Sequence, residues 1–280
     1  MTLSKHSVAV ITGAASGIGR ALANRLAQEK IAGIAVADVN EAGLKETAAT
    51  IEQLGVKVSA HIVNVADRAE MQRFADEVLE SHNQRATHLI NNAGVGLLGT
   101  FEQISLEDFE WLMNINFWGV VYGCKMFLPI LKREEKAHIV NLSSVFGLIA
   151  PPEQTAYCAS KFAVRGFTES LRHELLETNV RVSSVHPGGI KTEIARNSRL
   201  GANTPAEYKE EGAKFFDQVA QTSAEKAAEV IMHGIKTENP RILIGRDAHA
   251  ISYVHRLFPK RYLKIFERLA GHRLDLRKNI

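Results

Sequence analysis

The stretch SVAVITGAASGIGRALANRLAQEK (7–30) decides the fold. SVAVIT (7–12) is a short β-rich run, and RALANRLAQEK has helical periodicity. Between them lies Gly13-Ala-Ala-Ser16-Gly17-Ile18-Gly19. The order is therefore strand, glycine turn, helix. Glycines let a backbone turn tightly and approach a ligand closely. The helix start then offers free N–H groups and a positive dipole end to an anion, most plausibly a pyrophosphate. The spacing is GxxxGxG rather than GxGxxG, and many strand-to-helix loops use glycine for sterics alone. Here the flanking strand and helix supply the context that the binding reading requires.

Moving outward, GIAVAD (33–38) reads as the second strand and ends in Asp38, nineteen residues after Gly19. A carboxylate there suits an adenosine ribose 2′-OH and repels a 2′-phosphate. The neighbours Ser16, Val39 and Asn40 bring no cation, so NAD is favoured over NADP. The alternative is that Asp38 caps the helix NEAGLKETAATIEQLG. VKVSAHIV (56–63) is a third strand leading to Asn64 and Val65, and Asp67 reads as the N-cap of a helix reaching about Ser81.

ATHLI (86–90) is a further strand, followed by Asn91-Asn92-Ala93-Gly94. Small and amide residues at a strand's C-terminal end suit the crevice where open α/β sheets bind ligands. One long amphipathic helical segment is expected from Ser105 to Leu131, opened by a capping box with Asp108 in the usual Glu/Gln place. Asn116 lies inside it, and an interior Asn needs a partner, as a structural bridge or as a site residue. AHIVNLSS (137–144) is the next strand. It opens into SSVFGLIAPPEQTAYCASK (143–161), with Ser143, Ser144, Tyr157 and Lys161. A helix starting near Glu153 puts Tyr157 and Lys161, four apart, on one face. A lysine beside a phenol favours the phenolate and lowers its pKa, making a proton donor and acceptor usable near neutral pH. Taken alone, such a pair is common on helices.

The whole chain bounds these readings. At 280 residues with 45% hydrophobic and 23% charged residues, one soluble α/β domain is expected. A net charge of +3 does not point to a nucleic-acid partner. The two cysteines, Cys124 and Cys158, lack CxxC spacing, which argues against a disulfide framework and fits a reducing cytosol. MTLSKHSVAVITG has no long apolar run, so no signal peptide is expected, and no run of about 18 apolar residues predicts a spanning helix. The eleven His show no metal-binding spacing, so no metal site is expected.

The ordered set TGAASGIG (12–19), Asp38, NNAG (91–94), Asn116 of NFWG, Ser144, Tyr157 with Lys161, and PGGIKT (187–192) resembles the short-chain dehydrogenase/reductase family over about residues 5 to 245. The resemblance implies one doubly wound Rossmann-type domain with a parallel sheet of about seven strands. It implies NAD(P)-dependent alcohol or carbonyl chemistry, with Tyr157 as general acid/base. Ser144 would hydrogen-bond the substrate oxygen, Lys161 would lower the Tyr157 pKa and hold the nicotinamide ribose, and Asn116 would position a proton-relaying water. The cofactor would meet Gly13, Ser16, Gly17, Ile18 and Gly19, then Asp38, Asn64 and Val65, then Asn92, Ala93 and Gly94. Tyr157, Lys161, Pro187, Gly188, Ile190 and Thr192 would complete its contacts, with Val185 beside them. The family usually has Asp where Asn64 stands, which Asn64 can mimic through its amide oxygen. A homodimer or homotetramer is implied, through helices around 105–131 and 154–178.

The Rossmann-type domain is assigned to 1–248, with a substrate lid at about 190–220 in which Phe215 and Phe216 either cover a substrate or pack on the core. Val95, Phe146, Leu148 and Ile149 suggest a lipophilic alcohol or carbonyl substrate. The segment 249–280 reads as a basic amphipathic extension broken by Pro259. From Arg241 onward ten basic residues face three acids, which suits an anionic membrane surface, a neighbouring subunit or a cover over the pocket. The competing functions are an NADP(H)-preferring carbonyl reductase, a non-catalytic NAD-binding sensor, and a nucleotide-sugar epimerase or dehydratase, which usually carries a larger C-terminal domain.

Overall fold

The computed structural model describes residues 3–270. Alternation of apolar runs and amphipathic stretches produces a parallel sheet with helices on both faces. Its strands are β1 (Val8–Thr12), β2 (Gly33–Asp38), β3 (Lys57–Ile62), β4 (His88–Asn91), β5 (Ala137–Leu142), β6 (Val180–Pro187) and β7 (Arg241–Ile244). They are ordered β7-β6-β5-β4-β1-β2-β3, and every neighbouring pair is parallel. Residues of β1, β4 and β5 are buried throughout, as strands covered on both faces must be. Only the edge strand β3 leaves most of its side chains partly in solvent.

The helices are α1 (Gly17–Gln28), α2 (Glu41–Gln53), α3 (Arg68–Ser81), α4 (Leu106–Met113), α5 (Gly119–Leu131), α6 (Thr155–Glu174), α7 (Glu207–Val219), α8 (Ala224–Lys236), α9 (Arg246–Leu257) and α10 (Tyr262–Ala270). Leu22 and Leu26 of α1, Ile51 of α2 and Ile231 of α8 cover one face of the sheet. Phe74 of α3, Phe127 of α5 and Val164 of α6 cover the other. Each such side chain contributes roughly 1.5–3 kcal/mol by leaving water. Asp67 caps α3 as expected, accepting from the amides of Ala69 and Glu70. Pro259 separates α9 from α10, since its ring cannot continue a helix.

One expectation is corrected and one open alternative is decided. The helix expected from Ser105 to Leu131 is not continuous: α4 and α5 are joined by a π-helical turn over Asn114–Trp118. That turn adds a residue per turn and swings Asn116 inward, where it is fully buried. The cap of α2 is Asn40, whose side chain accepts from Gly43 N at 3.1 Å, and not Asp38.

Candidate active site

The sheet order reverses between β1 and β4, so a crevice opens at their C-terminal ends. The two loops leaving those strands are stitched together. Asn92 Nδ2 donates to the carbonyls of Thr12 and Gly13 at 3.0 and 2.9 Å. Thr12 Oγ1 accepts from the amides of Asn92 and Ala93, both at 3.1 Å. Gly13 has φ +66°, and a Cβ there would lie 2.7 Å from Ala93 Cα, so only glycine fits. Ser16 precedes α1, but its side chain caps nothing, and no acid stands in the first turn. The first amides of α1 thus have no side-chain acceptor, as an anion site requires. Gly17 faces Thr192 across this crevice: a Cβ on Gly17 would be 3.1 Å from Thr192 Cγ2. Ile18 packs against the core and Gly19 lies tight on the Gly13 carbonyl.

Asp38, at the end of β2, holds the turn in place. Its Oδ2 accepts from Ala15 N at 3.0 Å and its Oδ1 from Asn40 N at 3.1 Å. Arg20 of α1 is committed to the carbonyls of Ala15 and Gly43 and to Glu46 at 2.9 Å. Asn64 is exposed, with its Oδ1 already accepting from Ala66 N at 3.1 Å, while Val65 is buried against Gly119. Pro187 ends β6, Gly188 N donates to Ile244 O at 2.9 Å, and Ile190 is buried.

The other wall is built by α6 and the end of β5. Tyr157 and Lys161 share one face of α6, with the ammonium 5.6 Å from the phenol ring centre. Lys161 Nζ donates to Leu142 O at 3.1 Å. Ser144 Oγ accepts from Phe146 N at 3.1 Å and lies close enough to the Tyr157 phenol to favour its ionised form. Phe146 meets the Tyr157 ring edge-on at 6.1 Å. Gly94 closes the group: a Cβ there would lie 3.3 Å from Asn116 Oδ1 and 3.4 Å from Lys161 Nζ. The structure thus brings Asn116, Ser144, Tyr157 and Lys161 around the loop that carries Gly94. Against the expected lowering of the Tyr157 pKa by Lys161, burial dominates the titration of both groups. It pushes the phenol up to about 12, with the Ser144 hydroxyl offsetting only part, and pulls Lys161 down to about 8.

Three supports escaped sequence reasoning. His186 Nδ1 lies 3.0 Å from Ser144 O and its Nε2 3.0 Å from Ser184 Oγ, beneath the serine. Burial lowers its pKa to about 4, so the imidazole is neutral at pH 7. Ser143 Oγ donates to Lys161 O at 2.8 Å, tying β5 to α6. Asp247 Oδ2 accepts from Gly189 N at 2.7 Å and fills the space beside Gly188. A His in a β-rich run needs a partner, which is the one signal that marks His186; the Asp247 contact spans 58 residues and has no local signature.

The lid expected at 190–220 contains α7, in which no residue is buried, and Phe215 is 39% exposed, so α7 does not pack into the core. It leans on the short strand Leu97–Leu98, where a Cβ on Gly212 would touch Leu98 at 3.5 Å. Leu148 and Ile149 are buried, while Val95 and Phe146 are half-buried beside Tyr157. Among the described residues no group of His, Cys, Asp or Glu is arranged to hold a metal, and no helix is long and apolar enough to cross a membrane.

A family model described as short chain dehydrogenase matches residues 7–203. The chain belongs to the short-chain dehydrogenase family. It is therefore an NAD(P)-dependent oxidoreductase of the kind that acts on CH–OH groups. This short-chain dehydrogenase is 42% identical to the SadH protein of Mycobacterium tuberculosis, over 95% of each chain. It is 30% identical to estradiol 17-beta-dehydrogenase 11 of Mus musculus, over 96% of this chain and 84% of the other. Among solved structures it resembles a short-chain dehydrogenase/reductase from Burkholderia phymatum in complex with NAD. The TM-score is 0.84 at 32% identity, covering 92% of this chain and 95% of that one.

Proposed function

We propose that the protein interconverts a lipophilic secondary alcohol and its ketone, or a lipophilic alcohol and its aldehyde, with NAD(H) as hydride carrier and Tyr157 as general acid/base. The observation that carries this reading is the convergence of Ser144, Tyr157 and Lys161 beside Gly94 at the sheet's switch point. The nicotinamide cofactor, when bound, supplies the hydride acceptor or donor. The glycine turn and the uncapped start of α1 fit its phosphates, Asp38 its ribose hydroxyls, and the 187–192 segment its amide end.

Ser144 is positioned to hold the substrate oxygen, with His186 fixing its backbone from below. Tyr157 gives its proton to a carbonyl oxygen or takes one from a hydroxyl. A phenol near 12 is protonated at neutral pH, so the resting site is loaded for reduction, and oxidation gains as pH rises. Lys161 is still largely charged at neutral pH and stands on the same face of α6, so a proton shift can be relayed to it. Asn116 would order the water that continues that relay. The likeness to an estradiol 17-beta-dehydrogenase supports a large apolar alcohol, as do Phe146 against Tyr157 and the apolar loop that follows it. The intact Tyr–Lys–Ser–Asn set speaks against a sensor without turnover.

A panel of steroid-like, retinoid-like and fatty-chain alcohols with NAD, alongside polyols, tests this by the growth of NADH absorbance. Turnover confined to hydrophobic alcohols is expected. Preference for polyols would overturn the substrate class, and preference for NADP would overturn the cofactor.

A further inference from the structure

Apart from Asp247, helices α9 and α10 take no part in the proposed chemistry, yet they are built onto the site. α9 turns Ala248 fully inward and half-buries Ile251, Val254 and His255. Tyr262 of α10 meets His255 with ring centres 5.1 Å apart, and its hydroxyl accepts from Ala150 N at 3.2 Å, in the loop after Phe146. The opposite side of α9 is a single stripe at helical spacing, Arg246, Tyr253, Arg256 and Leu257, continued past the helix by Phe258, Lys260 and Arg261. Tyr253 is 72% exposed, Leu257 59% and Phe258 49%. Large apolar side chains in one patch mark an interaction surface, unlike the same residues scattered singly.

Charge selects the occupant. Between Ala248 and Phe266 the chain carries Arg256, Lys260, Arg261 and Lys264 and no carboxylate. Asp247, at the start of α9, is already bonded to Gly189 N. A second copy meeting this face about a two-fold axis would set cations against cations. A nucleic acid would satisfy the bases but leave Leu257 and Phe258 in water. An anionic bilayer satisfies both, since phosphates meet the bases while the apolar side chains enter the headgroup region.

We propose that α9 and the turn after it dock on an anionic lipid surface, with Tyr253, Leu257 and Phe258 inserted and Arg256, Lys260 and Arg261 on lipid phosphates. The Tyr262–Ala150 bond then holds the substrate-side loop next to the bilayer, where a lipophilic alcohol is stored; docking itself does not depend on the substrate class.

Full-length protein is sedimented with vesicles of phosphatidylcholine alone or with phosphatidylglycerol added, at low and high salt. Binding at least roughly tenfold stronger to the anionic vesicles is expected, weakened by salt. Leu257→Glu with Phe258→Glu, and separately Lys260→Glu with Arg261→Glu, should each lose it while keeping the parent's melting temperature. The charge pair, wholly on the surface, keeps the test valid if the apolar pair unfolds. Equal partition onto both vesicle types, no binding, or binding unchanged in the charge pair would overturn the proposal. So would preference for a duplex oligonucleotide, or lipid-free self-association that either pair abolishes.

Discussion

Asn116 closes a two-bond ring with the backbone of Val95: its Oδ1 accepts from Val95 N at 2.8 Å and its Nδ2 donates to Val95 O at 3.0 Å. The same Nδ2 reaches Ser160 Oγ on α6 at 3.3 Å. One side chain, aimed by a π-helical turn, thus fixes the loop after β4 against the helix that carries Tyr157 and Lys161. Asn116→Leu leaves two backbone groups of Val95 without this partner in a largely buried setting. It should lower unfolding free energy by about 1–3 kcal/mol, read from urea titration. Turnover should fall as well, and Asn116→Asp, which keeps the acceptor for Val95 N but sets a buried carboxylate oxygen against Val95 O, should lose at least as much stability.

Asp38 serves the glycine turn and the cofactor preference together. Asp38→Ser removes the carboxylate that repels a 2′-phosphate and loosens the Ala15 amide. The kcat/KM ratio for NAD over NADP should fall roughly tenfold, about 1.4 kcal/mol of discrimination. An unchanged ratio would remove Asp38 from cofactor selection.

Asp247 ties α9 to the turn after β6. With the charge-assisted bond to Gly189 N removed in Asp247→Ala, the 187–192 segment should hold the cofactor less well. KM for NAD should rise severalfold, about 1 kcal/mol, with kcat little changed. Steady-state kinetics at saturating alcohol separate the two constants.

Acid should unfold this protein through its buried imidazoles. His88, His138 and His186 are fully buried, and burial lowers them to about 3, 3 and 4 from an unfolded value near 6.5. Below 6.5 the unfolded chain binds protons that the folded chain refuses, so these groups favour the fold above 6.5 and oppose it increasingly as pH falls towards 4. Each contributes a slope of up to about 1.4 kcal/mol per pH unit in that window. Urea midpoints should drop steeply from pH 6.5 to pH 5, and His138→Gln should flatten the dependence.

Much of this was legible in the chain because the signals are local. The glycine turn, the alternation of β-rich runs with helices, and the four-residue spacing of Tyr157 and Lys161 all declare themselves within a few residues. Asp67 and Ser105 named their helix starts by capping chemistry. What stayed hidden depends on distant partners. The π-turn at Asn114–Trp118 has no sequence signature and reads as continuous helix until Val95 claims Asn116. The phenol's high pKa reflects burial that only the assembled walls create. Asn40 and Asp38 stand two apart, and only the Ala15 amide decides which one is the cap.

Tyr157 is the group that moves the proton in the proposed reaction. The measurement that bears on it most directly is turnover of Tyr157→Phe set beside its NADH affinity from fluorescence titration. A fall in kcat of roughly 10²–10⁴ with NADH binding and melting temperature unchanged is expected. A Phe variant that turns over an alcohol as fast as the parent would contradict it.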